Sequence, residues 1–139
     1  MGLQETTKMD NVNVTKVKAI YEAFGRGDVP SILGELAADV SWEFEGPSQI
    51  PYTGLRHGVE QVVGFFEGIA DSEQNQKLVM NQYIVDGNSV VSVGRYSAAV
   101  KATGKFFTTP VAHVWEFRDG KVTRWSNYVS TAAWLAACS

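Results

Sequence analysis

The sequence predicts an α+β fold, with helices from the first half packed on one face of a mostly antiparallel sheet made by the second half. Three observations predict it. Apolar residues recur at helical spacing early in the chain, at Val14, Val17, Ile20, Tyr21 and Phe24. From Leu78 onward, β-rich runs alternate with turn signals at Asp86-Gly87-Asn88, Thr103-Gly104-Lys105 and Asp119-Gly120. The last of these closes a hairpin over residues 111–130 that is apolar on both faces, and such a sheet must be covered on both. Runs of helix followed by runs of strand give this class rather than an alternating α/β one.

In chain order, residues 1–11 are polar and predict a flexible tail, leaving 12–139 as a single domain. Gly25 and Gly27 end the first helix. Asp28 caps the second, with Pro30 in its first turn and a stripe of Val29, Ile32, Leu33 and Leu36. Residues 40–45 alternate as a strand, with Val40, Trp42 and Phe44 on one face and Ser41, Glu43 and Glu45 on the other. Residues 46–58 hold two prolines and three glycines and predict an irregular loop. A third helix follows over 59–69, then strands at 78–85, 90–100 and 106–118, the second hairpin strand, and a closing helix at 131–137.

The hairpin carries the most information. Asp119-Gly120 suits a two-residue type I′ turn, so Arg118 should face Lys121. Counting back pairs Phe117 with Val122, Trp115 with Arg124, His113 with Ser126 and Val111 with Tyr128, all on one side. That side mixes polar groups with rings, as a pocket wall does. Ala112, Val114, Trp125 and Val129 would form the other side, which a partner subunit could cover.

Composition narrows the function classes. Twelve basic residues against 15 acidic ones, with no basic stripe, argue against nucleic acid as a partner. No apolar run approaches membrane-spanning length, so no membrane partner is expected and a cytoplasmic protein is the default reading. The single cysteine, Cys138, excludes an internal disulfide. His57 with Glu60 and Glu67 is too sparse a set for a metal site, and no glycine-rich nucleotide loop or nucleophile elbow is present, so neither metal nor cofactor is called for.

Several segments together resemble a known group: Phe24-Gly25-Arg26-Gly27-Asp28, Leu36-Ala37-Ala38-Asp39-Val40-Ser41-Trp42, Pro51-Tyr52-Thr53-Gly54 leading to His57-Gly58-Val59, Phe65-Phe66, and Ala112-His113-Val114-Trp115 followed by Arg118-Asp119-Gly120-Lys121-Val122. In order and spacing they resemble the SnoaL-like, ketosteroid-isomerase-related proteins of the nuclear transport factor 2-like superfamily. The resemblance implies a curved sheet wrapped around three N-terminal helices, a cystatin-like α+β barrel with a conical pocket, and a homodimer through the outer sheet face. It leaves the chemistry open, since this fold hosts enzymes and non-enzymes.

Carried over residue by residue, the resemblance puts Ser130 where SnoaL-like cyclases have an Asp, and Arg95-Tyr96-Ser97 where epoxide-hydrolase relatives have Arg-x-Asp. Unaided hydroxyls cannot replace those acids near neutral pH. Against the ketosteroid isomerases, Glu45 falls nearest the base, His113 at the protonated acid, and Ile20, with Tyr21 one residue late, at the donor tyrosine. Glu45 and His113 are thus the candidate catalytic pair. Arg95, Ser97, Tyr128 and Ser130 are candidate groups around a ligand oxygen, and Tyr21, Trp42, Tyr52, Phe66 and Trp115 would shape the cavity. An apolar wall should hold His113 neutral.

Three functions remain open at this point. One is an acid/base isomerase or cyclase acting on a hydrophobic, carbonyl-containing, steroid- or polyketide-like substrate. Another is a non-catalytic hydrophobic-ligand-binding protein, and the third a protein-docking adaptor. A filled cone would favour the adaptor, and the burial of Glu45 and His113 separates the first two.

Overall fold

The structure, a computed structural model, describes residues 2–139, with side chains from residue 12 onward. In order the elements are α1 Gly2–Arg26, α2 Val29–Leu33, β1 Leu36–Phe44, β2 Gly54–His57, α3 Val59–Ser72, β3 Glu73–Asp86, β4 Ser89–Val100, β5 Phe106–Arg118, β6 Lys121–Val129 and α4 Ala132–Cys138. The tail expected over residues 1–11 lies outside the residues described with their side chains.

The fold is α+β. The strands form one unclosed mixed sheet in the order β2-β1-β6-β5-β4-β3, with β1 and β6 parallel and every other neighbour antiparallel. α1 lies against β3 and β4, α3 against β1 and β2, and α4 against β4 and β5. Val17, Ile20 and Ala23 give α1 its buried stripe. Asp28 caps α2 as expected, accepting from the Ser31 amide at 3.2 Å.

Several boundaries differ from the sequence reading: β1 begins earlier, α3 reaches Ser72, β3 begins at Glu73, and two further differences bear on the site. α2 stops at Leu33, so Leu36 opens β1 instead of completing a helical stripe. It is buried in either role, which is why periodicity alone could not separate them. The 46–58 loop also contains β2, a mostly exposed four-residue edge strand with no apolar alternation to announce it.

The hairpin turn forms as expected, with Asp119 at φ 51° and Gly120 at φ 79°. Arg118 pairs with Lys121 and Phe117 with Val122, but Glu116 then pairs with Arg124. Thr123 is an extra residue, a β-bulge, and its hydroxyl donates to the Glu116 carbonyl at 3.2 Å. Beyond it the expected register is corrected by one residue. His113 faces Asn127, Trp115 faces Trp125, and Val111 faces Val129. Because side chains alternate, that single insertion turns Trp125 and Asn127 inward and sends Ser126 and Tyr128 to the outer face.

The tip is fastened to the rest of the molecule. Lys16 donates to the Gly120 carbonyl, Lys121 to the Gly34 carbonyl, each at 2.6 Å, and Arg118 pairs with Asp39 at 2.8 Å. At the other side of the sheet, β3 crosses β4 so closely that a Cβ on Gly94 would lie 1.9 Å from the Val79 carbonyl oxygen. The β3 register shifts beside that contact, between Met80 and Gln82.

Candidate functional site

The helices and the inner face of the sheet enclose an aromatic cavity. Trp42 of β1 stacks on Trp125 of β6, with ring centroids 4.4 Å apart. Phe65 and Phe66 of α3 pack edge-on or tilted against Trp42. Tyr52, from the loop after β1, and Trp134 of α4 close one end. The Gly68 backbone permits this, since a Cβ there would come within 2.9 Å of the Tyr52 Cβ. Water centres can reach about 70 Å³ of the interior, room for a few waters or one slim ring system.

One polar cluster interrupts the apolar lining where α1 meets β4 and β5. The Tyr21 hydroxyl lies 2.8 Å from His113 Nδ1 and 2.5 Å from Ser92 Oγ. The Trp115 indole, which can only donate, reaches both the Tyr21 and Ser92 oxygens, at 3.1 and 3.2 Å. Burial pushes the Tyr21 phenol up, so it stays protonated. Burial pushes His113 down to about 3, against a weaker opposing effect of Asn127. Near neutrality the imidazole is therefore uncharged, as its apolar setting predicts. Asn127 sits across the ladder from His113, 2% exposed, and its amide nitrogen has no partner among the described residues. The Trp42 indole nitrogen is likewise buried without a partner.

A second cluster lies toward α4. Glu73, the first residue of β3, is 3% exposed. The Tyr52 hydroxyl donates to one of its carboxyl oxygens, and the Tyr96 hydroxyl to the other at 2.5 Å. Burial raises the Glu73 carboxyl above its ordinary range, against the opposing effect of these hydrogen bonds. Tyr52 and Tyr96 line the cavity.

The cavity gathers six of the residues expected there: Tyr21, Trp42, Tyr52, Phe66, His113 and Trp115. Five others fall elsewhere, which corrects the expected site. Glu45 is exposed one residue beyond β1, because alternation turns Phe44 inward and the strand ends there. The inner face of β4 carries Ser92, Tyr96 and Ala98, so Arg95 and Ser97 stand on the outer face. The Thr123 bulge sends Tyr128 outward, 54% exposed. Ser130 is exposed past the end of β6, and its carbonyl accepts from Thr109 at 2.8 Å.

Sequence reasoning missed Ser92, Tyr96, Glu73 and Asn127. Alternation from Val90 would have placed Ser92 and Tyr96 together. Glu73 has no local signal, since it stands before a polar Gln-Asn-Gln run. Among the described residues no cluster of His, Cys, Asp and Glu is placed to hold a metal, and no helix is long and apolar enough to cross a membrane.

Comparison with known proteins agrees with this geometry. The profile of the SnoaL-like domain matches residues 17–125. No curated protein matches the chain. An NTF2-like protein of unknown function from Burkholderia pseudomallei is 28% identical, with 92% of this chain and 98% of that one covered at a TM-score of 0.86. TerC, co-crystallized with polyporic acid, is 25% identical, with 91% and 98% covered at a TM-score of 0.83. A protein from Xanthomonas campestris assigned as a polyketide cyclase is 26% identical, with 94% and 98% covered at a TM-score of 0.78.

Proposed function

Because the chain belongs to the SnoaL-like family, we propose that its cavity holds a small hydrophobic molecule through a carbonyl oxygen and catalyses its isomerisation or cyclisation by acid/base chemistry. The observation that carries this reading is the unpartnered amide nitrogen of Asn127 in a cavity lined mainly by aromatic and aliphatic side chains. A buried donor without a partner costs about 1–3 kcal/mol, which a ligand oxygen would recover. His113, neutral and hydrogen-bonded to both Tyr21 and the Asn127 side chain, stands beside it and orients that amide toward the ligand oxygen. The polyporic acid of TerC and the cyclase assignment of the Xanthomonas protein support a ligand rich in rings and oxygens.

Glu45 takes no part in this scheme, since it is exposed. Serines at 97 and 130, where related cyclases and epoxide hydrolases have acids, favour a second reading, a ligand-binding protein without turnover. Binding by 1-tetralone and by tetralin, the same skeleton without the carbonyl, tests the shared part of both readings. The ketone should bind about tenfold or more tightly, and Asn127→Leu should erase that preference. Equal affinity of the two compounds for the unaltered protein would sink the carbonyl site.

The outer sheet face bears on assembly. Val79, Ile84 and Tyr128, each about half exposed, flank Val93, Ala112 and Val114 on that face. We propose that a second copy of the chain covers it, giving a homodimer. A contiguous apolar face open to water is unusual for a monomer, and twofold pairing is the commonest way to cover one.

A further inference from the structure

The Glu73 cluster has no role in holding a carbonyl at Asn127, yet two of its three members line the same cavity. A carboxylate this deeply buried normally has a cationic partner. Among the described residues Glu73 has none, only the two phenols and the Trp134 indole, all uncharged donors. We infer that Tyr52, Tyr96 and Glu73 form a second polar pole, which takes up a hydroxyl of the ligand and exchanges its proton. The ligand class is then a hydroxy-ketone, with a carbonyl at one end and a phenolic or enolic hydroxyl at the other. This rests on the reading of the cavity as a carbonyl site and adds the proton-exchanging group that reading lacks.

The spacing agrees. Ser92, beside His113, and Tyr96 lie four residues apart on the same face of β4. That is about 13 Å along the strand, and side chains extending from both ends shorten it to the span of a two-ring molecule. The exchange balances with the groups present. The ligand O–H bond breaks as its proton passes to the Tyr52 oxygen, and the Tyr52 O–H bond breaks as its own proton passes to Glu73. The ligand is left as an oxyanion facing a phenol that donates to it, and Glu73 is left as the acid. Reversal returns the proton. Both phenols lie within hydrogen-bond reach of the one carboxyl group, the arrangement that its proton-accepting form requires. Tyr52 touches the ligand in this scheme, whereas Glu73 acts through it.

The titratable groups facing Glu73 are Tyr52 from the loop after β1, Tyr96 from β4 and the half-buried thiol of Cys138 from α4. Burial raises all of them, so Glu73 is the one that changes charge first as pH rises.

The test compares 6-hydroxy-1-tetralone, 6-methoxy-1-tetralone and 1-tetralone on the full chain. The hydroxy compound should bind about 10- to 100-fold more tightly than the methoxy one, the range for a hydrogen bond to a charged group. Its absorption band should move toward the phenolate position on binding. Glu73→Gln, its fold checked by circular dichroism, should abolish both the preference and the band shift while binding 1-tetralone as before. Tyr52→Phe should likewise abolish the preference and the band shift. A merely structural Glu73 would weaken all three ketones in parallel and leave the preference intact, which overturns the proposal. So would equal binding of the hydroxy and methoxy compounds. If none of the three binds the unaltered protein, the carbonyl reading itself fails, and this proposal with it.

Discussion

At the scale of single residues, His113 and Glu73 leave opposite marks on stability. His113 titrates near 6.5 when the chain is unfolded and at about 3 when it is folded. Between those values the unfolded chain binds a proton that the folded one does not. The contribution of His113 is therefore complete above about 6.5 and lost as pH falls toward 3, at about 1.4 kcal/mol per unit. Urea unfolding of His113→Gln should show a flatter acid limb over that window, and limbs that run parallel to the unaltered protein would count against a buried neutral ring. The Glu73 carboxyl is raised, so its contribution is complete below its ordinary value of 4.5 and lost as pH rises through the folded value. Glu73→Gln should thus gain stability relative to the unaltered protein as pH rises. Ser130 makes no such mark. It is exposed and its side chain is assigned no proton, so Ser130→Ala should leave ligand binding and any turnover unchanged, and a large loss would return it to the site.

At the scale of elements, the Thr123 bulge decides what the cavity contains. Deleting Thr123 would remove the extra residue yet keep Glu116 opposite Arg124, Trp115 opposite Trp125 and His113 opposite Asn127, whereas deleting Thr123 and Arg124 together would turn Trp125 and Asn127 outward. The double deletion should abolish folding or ligand binding, whereas the Thr123 deletion and Thr123→Ala, which both keep Trp125 and Asn127 inward, should retain them. Folding and binding by the double-deletion variant would mean that the register of β6 does not set the face. Gly94 is a second hinge of the sheet, and Gly94→Ala should cost about 3 kcal/mol in denaturant unfolding, because the added carbon meets the β3 backbone. A bulge also limits what sequence reading can reach. The turn at Asp119-Gly120 fixed the pairing of Arg118 with Lys121, and every pairing beyond Thr123 was off by one. Trp125 was assigned outward and Tyr128 inward for that reason alone. His113 and Trp115 lie on β5, before the turn, and their common face did not depend on the register. Tyr21, Trp42 and Phe66 were readable because helical and strand periodicity both point them to the core. Arg95 and Ser97 enter the expected site through resemblance alone, and the alternation of their own strand points to Ser92 and Tyr96 instead.

At the scale of the whole molecule, the open six-stranded sheet has one face filled by the helices and another that carries exposed Val79, Ile84 and Tyr128. Sedimentation equilibrium should give twice the chain mass of 15.2 kDa, and Val114→Asp, at the centre of that face, should lower it toward a single chain. A single-chain mass for the unaltered protein would remove the dimer. The inner face makes the more direct claim, a neutral His113 set beside an unpaired Asn127 donor in a cavity for a carbonyl compound. Nitrogen-15 spectra of histidine-labelled protein with and without 1-tetralone test it, with exposed His57 as the internal reference. The account predicts that His113 stays uncharged from pH 5 to 8 and that its ring signals move when the ketone binds, while those of His57 ignore the ketone. A His113 that takes up a proton within that range, or one that does not respond to a ketone that binds, would contradict it.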